Sequence, residues 1–275
     1  DHPERSSDPR IPDTLEDVLL ARIDRLPDDP KGLLQAASVI ARDIPLRVLK
    51  ALWDRPDNME SHLRELVRLE FLYPRGASEE SAYGFRNALI QETTYAGIPD
   101  HRRRVLHEAA GRALETIYAG RIRQVADLLA YHYAKTEQSA KAVEYLMSFA
   151  EHAARLHCHA EASEALHQAL RHAEQLPAGP PRDRVFVDLV LCHAHSSDFL
   201  GRVQERLAQL LEHRDRLQDV GDGRLIGPYQ FWLGRIYTIL GDHEQAVLSA
   251  RQALDHGRRH GDHDAIAHRI DDRTE

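Results

Sequence analysis

The segment WLGRIYTILGDHEQAVLSARQAL, residues 232–254, constrains this chain more than any other. Leu233 and Tyr237 are four apart and so share one face of a helix. Gly234 removes a side chain where a neighbouring helix must come close. Gly241, followed by Asp242, ends that helix, because glycine accepts the left-handed backbone found just beyond a helix C-terminus. Ala246 and Ala253 are small residues on the helix that follows, where two helices must touch. Together, Leu233, Gly234, Tyr237, Gly241, Ala246 and Ala253 are predicted to pack a helical hairpin. Stacked hairpins of this kind present surface to partners and do no chemistry themselves.

The offsets resemble those of a tetratricopeptide repeat (TPR), and the composition suits the same architecture. Aromatic residues are 6% and charged residues 29%, as a helical solenoid with wet outer faces requires. A chain of 275 residues has room for one large or two ordinary domains. The net charge of −8 gives no general electrostatic case for nucleic acid or an anionic membrane as partner. Cys158 and Cys192 form no C-x-x-C pair, which fits a reducing cytoplasm and excludes a disulfide framework. No apolar run approaches the ~20 residues of a membrane span, and the start carries no signal-peptide pattern. A cytoplasmic location is therefore expected. The chain begins Asp1-His2-Pro3 and stops at Glu275, just after a helix is predicted to begin near Asp264. This reads as an internal piece of a longer protein.

Three regions are predicted: a polar linker over residues 1–11, a helical and winged-helix module over 12–119, and TPR-like repeats over 120–275, cut short at their end. The first helix starts near Asp13 or Thr14, with Glu16 and Asp17 placed for a capping box. Asp28-Asp29-Pro30 breaks the chain. Apolar stripes predict further helices around Leu33 to Ile40 and Leu46 to Trp53, and a fourth capped by Asn58. The aromatic segments Phe71-Leu72-Tyr73-Pro74 and Ala82-Tyr83-Gly84-Phe85 flank a polar stretch and read as a β-hairpin, or wing. Helices followed by such a hairpin predict a winged helix. From Val125 onward helix follows helix, with Leu129, Tyr133, Ala142, Ala162, Leu166 and Ala169 echoing the repeat spacing. The short interval from Ala142 to Ala162 makes the helix over about 140–156 pair on both sides. Residues 177–181 form a break, and Gly201 and Gly241 mark two longer repeats separated by residues 219–228. The fold class is thus mainly α, a winged-helix module followed by an α-solenoid of TPR-like hairpins.

Five segments carry a wider resemblance: IPDTLEDVLLARIDRLP, LLQAASVIARDIPLRVL, HLRELVRLEFLY, YGFRNALIQETTY and RRRVLHEAAGRALE. They resemble the large signal-transducing ATPase regulators known as STAND proteins, which join a P-loop ATPase, a winged helix and a TPR-like array. In many of these a class III adenylate/guanylate cyclase domain precedes the ATPase; in others a LuxR-type helix-turn-helix follows the repeats. In that family the segment matching YGFRNALIQETTY reads F-x-H-x-L-x-x-E, and its histidine resembles one that touches bound ADP. Here that position is Asn87, which can donate a hydrogen bond to a phosphate oxygen but cannot carry a proton-dependent charge. The other reading of Asn87 is a helix cap.

Other chemistries find little support. No G-x-x-x-x-G-K-[ST] is present, so this segment is expected to have no cofactor of its own, with ATP or ADP and Mg on the P-loop domain of a parent protein. The helix before the wing carries Glu60, Glu65 and Glu70 against Arg64 and Arg68, too acidic a face for phosphates, so no nucleic acid is expected to bind here. The clusters His157-Cys158-His159 and Cys192-His193-Ala194-His195 lack the paired spacing of a zinc site. No catalytic constellation emerges, and no enzyme is expected within these residues.

The function that follows is a regulatory and interaction segment of a multidomain signal-transduction ATPase. The winged helix would relay nucleotide state, and the repeats would receive a protein, a peptide or a small signal ligand. Contact with the parent's own ATPase domain is implied, and no membrane partner. The alternative is a free-standing TPR adaptor without a nucleotide switch. Tyr229 and Arg235, with Gln230 and Thr238 nearby, form the candidate ligand surface, on the face that the first helix of a repeat turns inward.

Overall fold

The computed structural model describes residues 14–41, 43–53, 55, 58–75 and 82–260. The predicted linker over residues 1–11 and the helix predicted near Asp264 lie outside the described residues. The chain divides into two compact units, Asp1–Arg121 and Ile122–Glu275.

In the first unit, α1 (Leu15–Asp24) opens on a reciprocal capping box. The Thr14 hydroxyl accepts from the Asp17 N–H at 3.1 Å, and the Asp17 carboxylate accepts from the Thr14 N–H at 3.1 Å. Helix α2 (Asp28–Ile40) is the centre of the unit, with Leu33, Leu34, Ala37, Val39 and Ile40 all buried. Asp28-Asp29-Pro30, predicted as a break, instead forms its first turn. There a proline loses no hydrogen bond and two carboxylates meet the positive helix end.

Strand β1 (Asp43–Pro45) leads into α3 (Leu46–Leu52) and α4 (Met59–Arg68), and the hairpin of β2 (Leu72–Arg75) and β3 (Ala82–Phe85) follows. Strand β3 lies between the other two, pairing antiparallel with Ile44 opposite Tyr83 and with Tyr73 opposite Gly84. A Cβ at Gly84 would sit 2.8 Å from the Tyr73 ring, so a larger residue there would have to displace that ring. Asn58 occupies the position before α4 without a side-chain cap hydrogen bond. The order helix, helix, strand, helix, helix, then a hairpin returning to the first strand is a winged-helix topology. Helices α5 (Ala88–Ala96) and α6 (Asp100–Ile117) complete the unit, packing on α2.

The second unit is helical throughout its described residues. Helix α7 (Ala126–Tyr133) packs on α8 (Ser139–Arg155), which packs on α9 (His159–Ala173), so α8 has partners on both sides. Leu129, Tyr133, Ala142, Ala162, Leu166 and Ala169 are buried in this stack, and Tyr133 stacks on Tyr145 with ring centroids 5.4 Å apart. Helix α10 (Pro180–Ser196) begins with proline in its first turn, where the missing N–H costs nothing. It packs against α9, α11 (Val203–Glu212), α12 (Arg214–Val220) and α13 (Gly223–Leu240). The hairpin of α13 and α14 (His243–His260) closes the described array. The predicted separation over 219–228 shrinks to the turn at Gly221 and Asp222, and Pro228 lies inside α13. No helix among the described residues is long and apolar enough to cross a membrane.

Candidate functional site

Asn87 sits at the N-cap of α5 with an extended backbone, and its Oδ1 accepts from the Ile90 N–H at 2.8 Å. That bond satisfies one of the orphan donors at the helix start, a contribution of about 1 kcal/mol. The side chain is exposed.

The six residues of the clearest repeat gather at the α13–α14 hairpin. Leu233, Ala246 and Ala253 are buried, and Tyr237 is half-buried. Gly234 lies where an added Cβ would stand 3.5 Å from the Ala246 carbonyl oxygen and from the Ala250 nitrogen, so the backbones approach closely there. Gly241 takes φ +78°, while the Asp242 N–H reaches the Tyr237 carbonyl at 3.0 Å and the Gly241 N–H reaches that of Thr238 at 3.1 Å. This pair of bonds is a Schellman turn.

Of the candidate ligand surface, the position of Tyr229 is corrected by the structure. Tyr229 is only 1% exposed, and its hydroxyl donates to the Leu210 carbonyl of α11. Gln230 is buried as well. Because α13 begins at Gly223, the turn carrying these residues packs against α11. Arg235 is turned to Asp198, with Nη2 to Oδ2 at 2.7 Å and Nε to Oδ2 at 3.0 Å. The Thr238 hydroxyl donates back to the Gly234 carbonyl at 2.8 Å. Tyr229 and Arg235 thus tie α13 to α11 and to Asp198.

Four histidines, His107, His132, His193 and His213, are buried. Burial, helped by Lys135, lowers His132 to about 4. Burial and the charges of His167, Arg206 and Arg202 bring His193 to about 4. The His193 ring bonds the Ser163 hydroxyl at 2.9 Å, but both are 3% exposed, out of reach of a substrate. Burial pushes the Cys192 thiol up to about 11, so it stays protonated. No group of three or more potential metal ligands is found among the described residues.

The feature with room for a ligand lies elsewhere in the second unit. A groove of about 530 Å³ runs between α7 and α9 over α8. Its floor is apolar, from Ala130, Leu146, Phe149 and Ala165, and Tyr131 stands at its side, 45% exposed. Asp127, Glu161 and Glu164 lie on its rim. Glu164 accepts from the Gln168 amide at 3.0 Å and lies 3.9 Å from the Arg171 guanidinium, whereas Asp127 and Glu161 make no ion pair among the described residues. A second cavity of about 590 Å³ shares Asp127 and Phe149 and carries Arg123, Glu151, His152 and Arg155. Nothing in the sequence alone singles out this groove. Its signal was faint: Asp127 and Tyr131 four apart, and Glu161, Glu164 and Gln168 on one face of α9.

No family model matches the chain, and no curated protein matches it. Among solved structures, it is similar to a Signal Transduction ATPase with Numerous Domains (STAND) protein with a tetratricopeptide repeat sensor from Pyrococcus horikoshii. The two share 13% identity with a TM-score of 0.38, over 92% of this chain and 48% of that one. The chain thus spans about half the length of that protein.

Proposed function

We propose that this chain is the regulatory and partner-binding segment of a STAND-type signalling ATPase, cyclase-linked or transcriptional. The observation that carries the reading is the pairing of a winged-helix unit with an array of TPR-like hairpins in one chain. The five sequence segments that resemble the family support it. In this reading the repeats receive a protein, peptide or small signal ligand, and the winged helix relays the nucleotide state of a P-loop domain that holds ATP or ADP with Mg. The segment itself performs no catalysis.

Asn87 is the residue proposed to sense nucleotide. Its place at the start of α5 is where a phosphate oxygen would meet both an amide donor and the positive helix end. The deciding experiment uses the whole reading frame: a P-loop upstream supports the switch, and a start codon close to residue 1 supports a free-standing TPR adaptor instead. With a P-loop present, Asn87→Ala should weaken ADP binding by the parent protein. An unchanged ADP affinity with only the stability loss of a missing cap would leave Asn87 as a cap alone.

A further inference from the structure

We infer that the groove between α7 and α9 is a docking site for a peptide segment of a partner protein that sets lysine or arginine beside apolar anchor residues. This rests on the reading of the repeats as a partner-binding array and names the chemistry of the partner.

The floor supplies the first half of the argument. Ala130 and Ala165 are buried and small, and with Leu146 and Phe149 they leave an apolar trough of about 530 Å³. That is room for one or two aliphatic or aromatic side chains, within the range of pockets that hold ligands. Tyr131, half out in solvent with Lys135 over its ring, adds an aromatic edge. An aromatic wall beside an apolar floor is the surface type that anchors interfaces.

The rim supplies the second half. Asp127 and Glu161 sit in the first turns of α7 and α9, where a carboxylate also favours the helix start. That role does not require them to line one apolar trough together, which they do here with Glu164. Two carboxylates without an ion-pair partner among the described residues, over a low-dielectric floor, favour a cation and repel an acidic peptide. Lys135 over the Tyr131 ring, at 5.0 Å, and Arg171 beside Glu164, at 3.9 Å, keep their charge and offset part of the rim, so Asp127 and Glu161 carry the preference for a cation. A simple polyamine would satisfy the rim and leave the floor wet; a fatty acyl chain would fill the floor and bring no cation. A basic, apolar peptide satisfies both.

The test is fluorescence anisotropy on the whole chain with labelled synthetic peptides. One alternates leucine and lysine, one replaces lysine by glutamate, and one replaces leucine by serine. The leucine–lysine peptide should bind at least about tenfold more tightly than either of the others, less so at high salt. Asp127→Lys with Glu161→Lys, both exposed positions, should weaken it about tenfold and shift preference toward the glutamate peptide. Ala160→Trp, an exposed groove position, should block all of them by filling the trough. Circular dichroism would show that these variants fold. Equal binding of the serine–lysine peptide would mean that only overall negative charge attracts it, and the inference fails. It fails also if the leucine–lysine peptide does not bind. Binding that survives both the charge reversal and the plug moves the site elsewhere on the repeats, ending this inference while partner binding stands. A reading frame without a P-loop would overturn the signalling ATPase and leave the groove result untouched.

Discussion

Arg206 Nη1 lies 2.6 Å from Asp198 Oδ1, with the two side chains 1% and 8% exposed, in the interior of the helical array. Asp198 belongs to the 3₁₀ turn Asp198–Leu200 after α10, Arg206 to α11, and Arg235, which shares the same carboxylate, to α13. One buried anion therefore ties three elements of successive hairpins. Such a pair does not stabilise much against an apolar substitute, but breaking it from one side leaves a charge stranded.

Asp198→Ala should accordingly destabilise the chain by about 3–5 kcal/mol, because Arg206 would keep its charge in the interior with no anion. Arg206→Met should cost far less. It removes a guanidinium whose Nε and Nη2 have no partner among the described residues, while Asp198 keeps Arg235. Urea denaturation of both variants checks the order. Burial alone would raise the Asp198 carboxyl, yet the hydrogen bonds from Arg235 and Arg206 outweigh it and hold it below the ordinary carboxylate range. Its contribution is thus fully present above the unfolded value of about 4 and is lost as pH falls below it.

A different pH window belongs to the buried histidines. His132 and His193 are both depressed to about 4, chiefly by burial, and His172 and His213 are lowered as well. Between about 6.5 and 4 the unfolded chain binds protons that the folded chain refuses, so stability falls as pH falls through that range. Each fully refusing histidine contributes a slope of about 1.4 kcal/mol per pH unit. Denaturation at pH 7 and pH 5 should show this loss, and His132→Phe should flatten the slope. Equal stability at the two pH values would show that these rings are protonated at little cost in the fold.

Helix α8 ends unusually. His157 has φ +60°, with its N–H on the Ala154 carbonyl at 3.0 Å and the Cys158 N–H on that of Ala153 at 2.9 Å. This is the turn Gly241 makes, built with a residue for which the left-handed backbone is unfavourable by about 1–2 kcal/mol. His157→Gly should raise stability by about 0.5–1 kcal/mol, partly offset by the greater freedom of glycine when unfolded, and Gly241→Ala should lower it by about 1 kcal/mol. Thermal melts of the two variants should move in opposite directions.

These elements also mark how far the sequence could be read. The α13–α14 hairpin was legible because its constraints are local: a left-handed turn that favours glycine, and small residues where two helices touch. The pairing of β2 with β3 was legible for a similar reason, from two aromatic segments close together in the sequence. Strand β1 was not, because three residues ending in proline carry no alternation and gain strand structure only by pairing with β3. Asp28-Asp29-Pro30 misled because the same residues that break a helix also start one. Tyr229 misled most. Its partner, the Leu210 carbonyl, is 19 residues away on α11, and nothing near Tyr229 in sequence shows that a helix will cover it. The groove was hidden likewise, since its floor and rim come from three helices whose approach depends on how the hairpins stack.

The closeness of the α13–α14 contact itself can be measured with two substitutions of opposite expected sign. At Gly234 a Cβ would meet the Ala246 oxygen, the Ala250 nitrogen and the Ser249 Cβ at 3.5 Å, which is ordinary van der Waals distance. Gly234→Ala therefore fits, and replacing a mid-helix glycine by alanine should stabilise the chain by up to about 1 kcal/mol. Ala246 is different, because its side chain is itself buried where α14 packs on α13. Ala246→Leu must push the helices apart or adopt a poor rotamer, at a cost of about 1–3 kcal/mol. Both variants can be followed by thermal melting of the whole chain. The expected pattern is a Tm equal or higher for Gly234→Ala and clearly lower for Ala246→Leu. A fall in both would place the helices closer than 3.5 Å allows, and no change in Ala246→Leu would show that the hairpin yields at its seam.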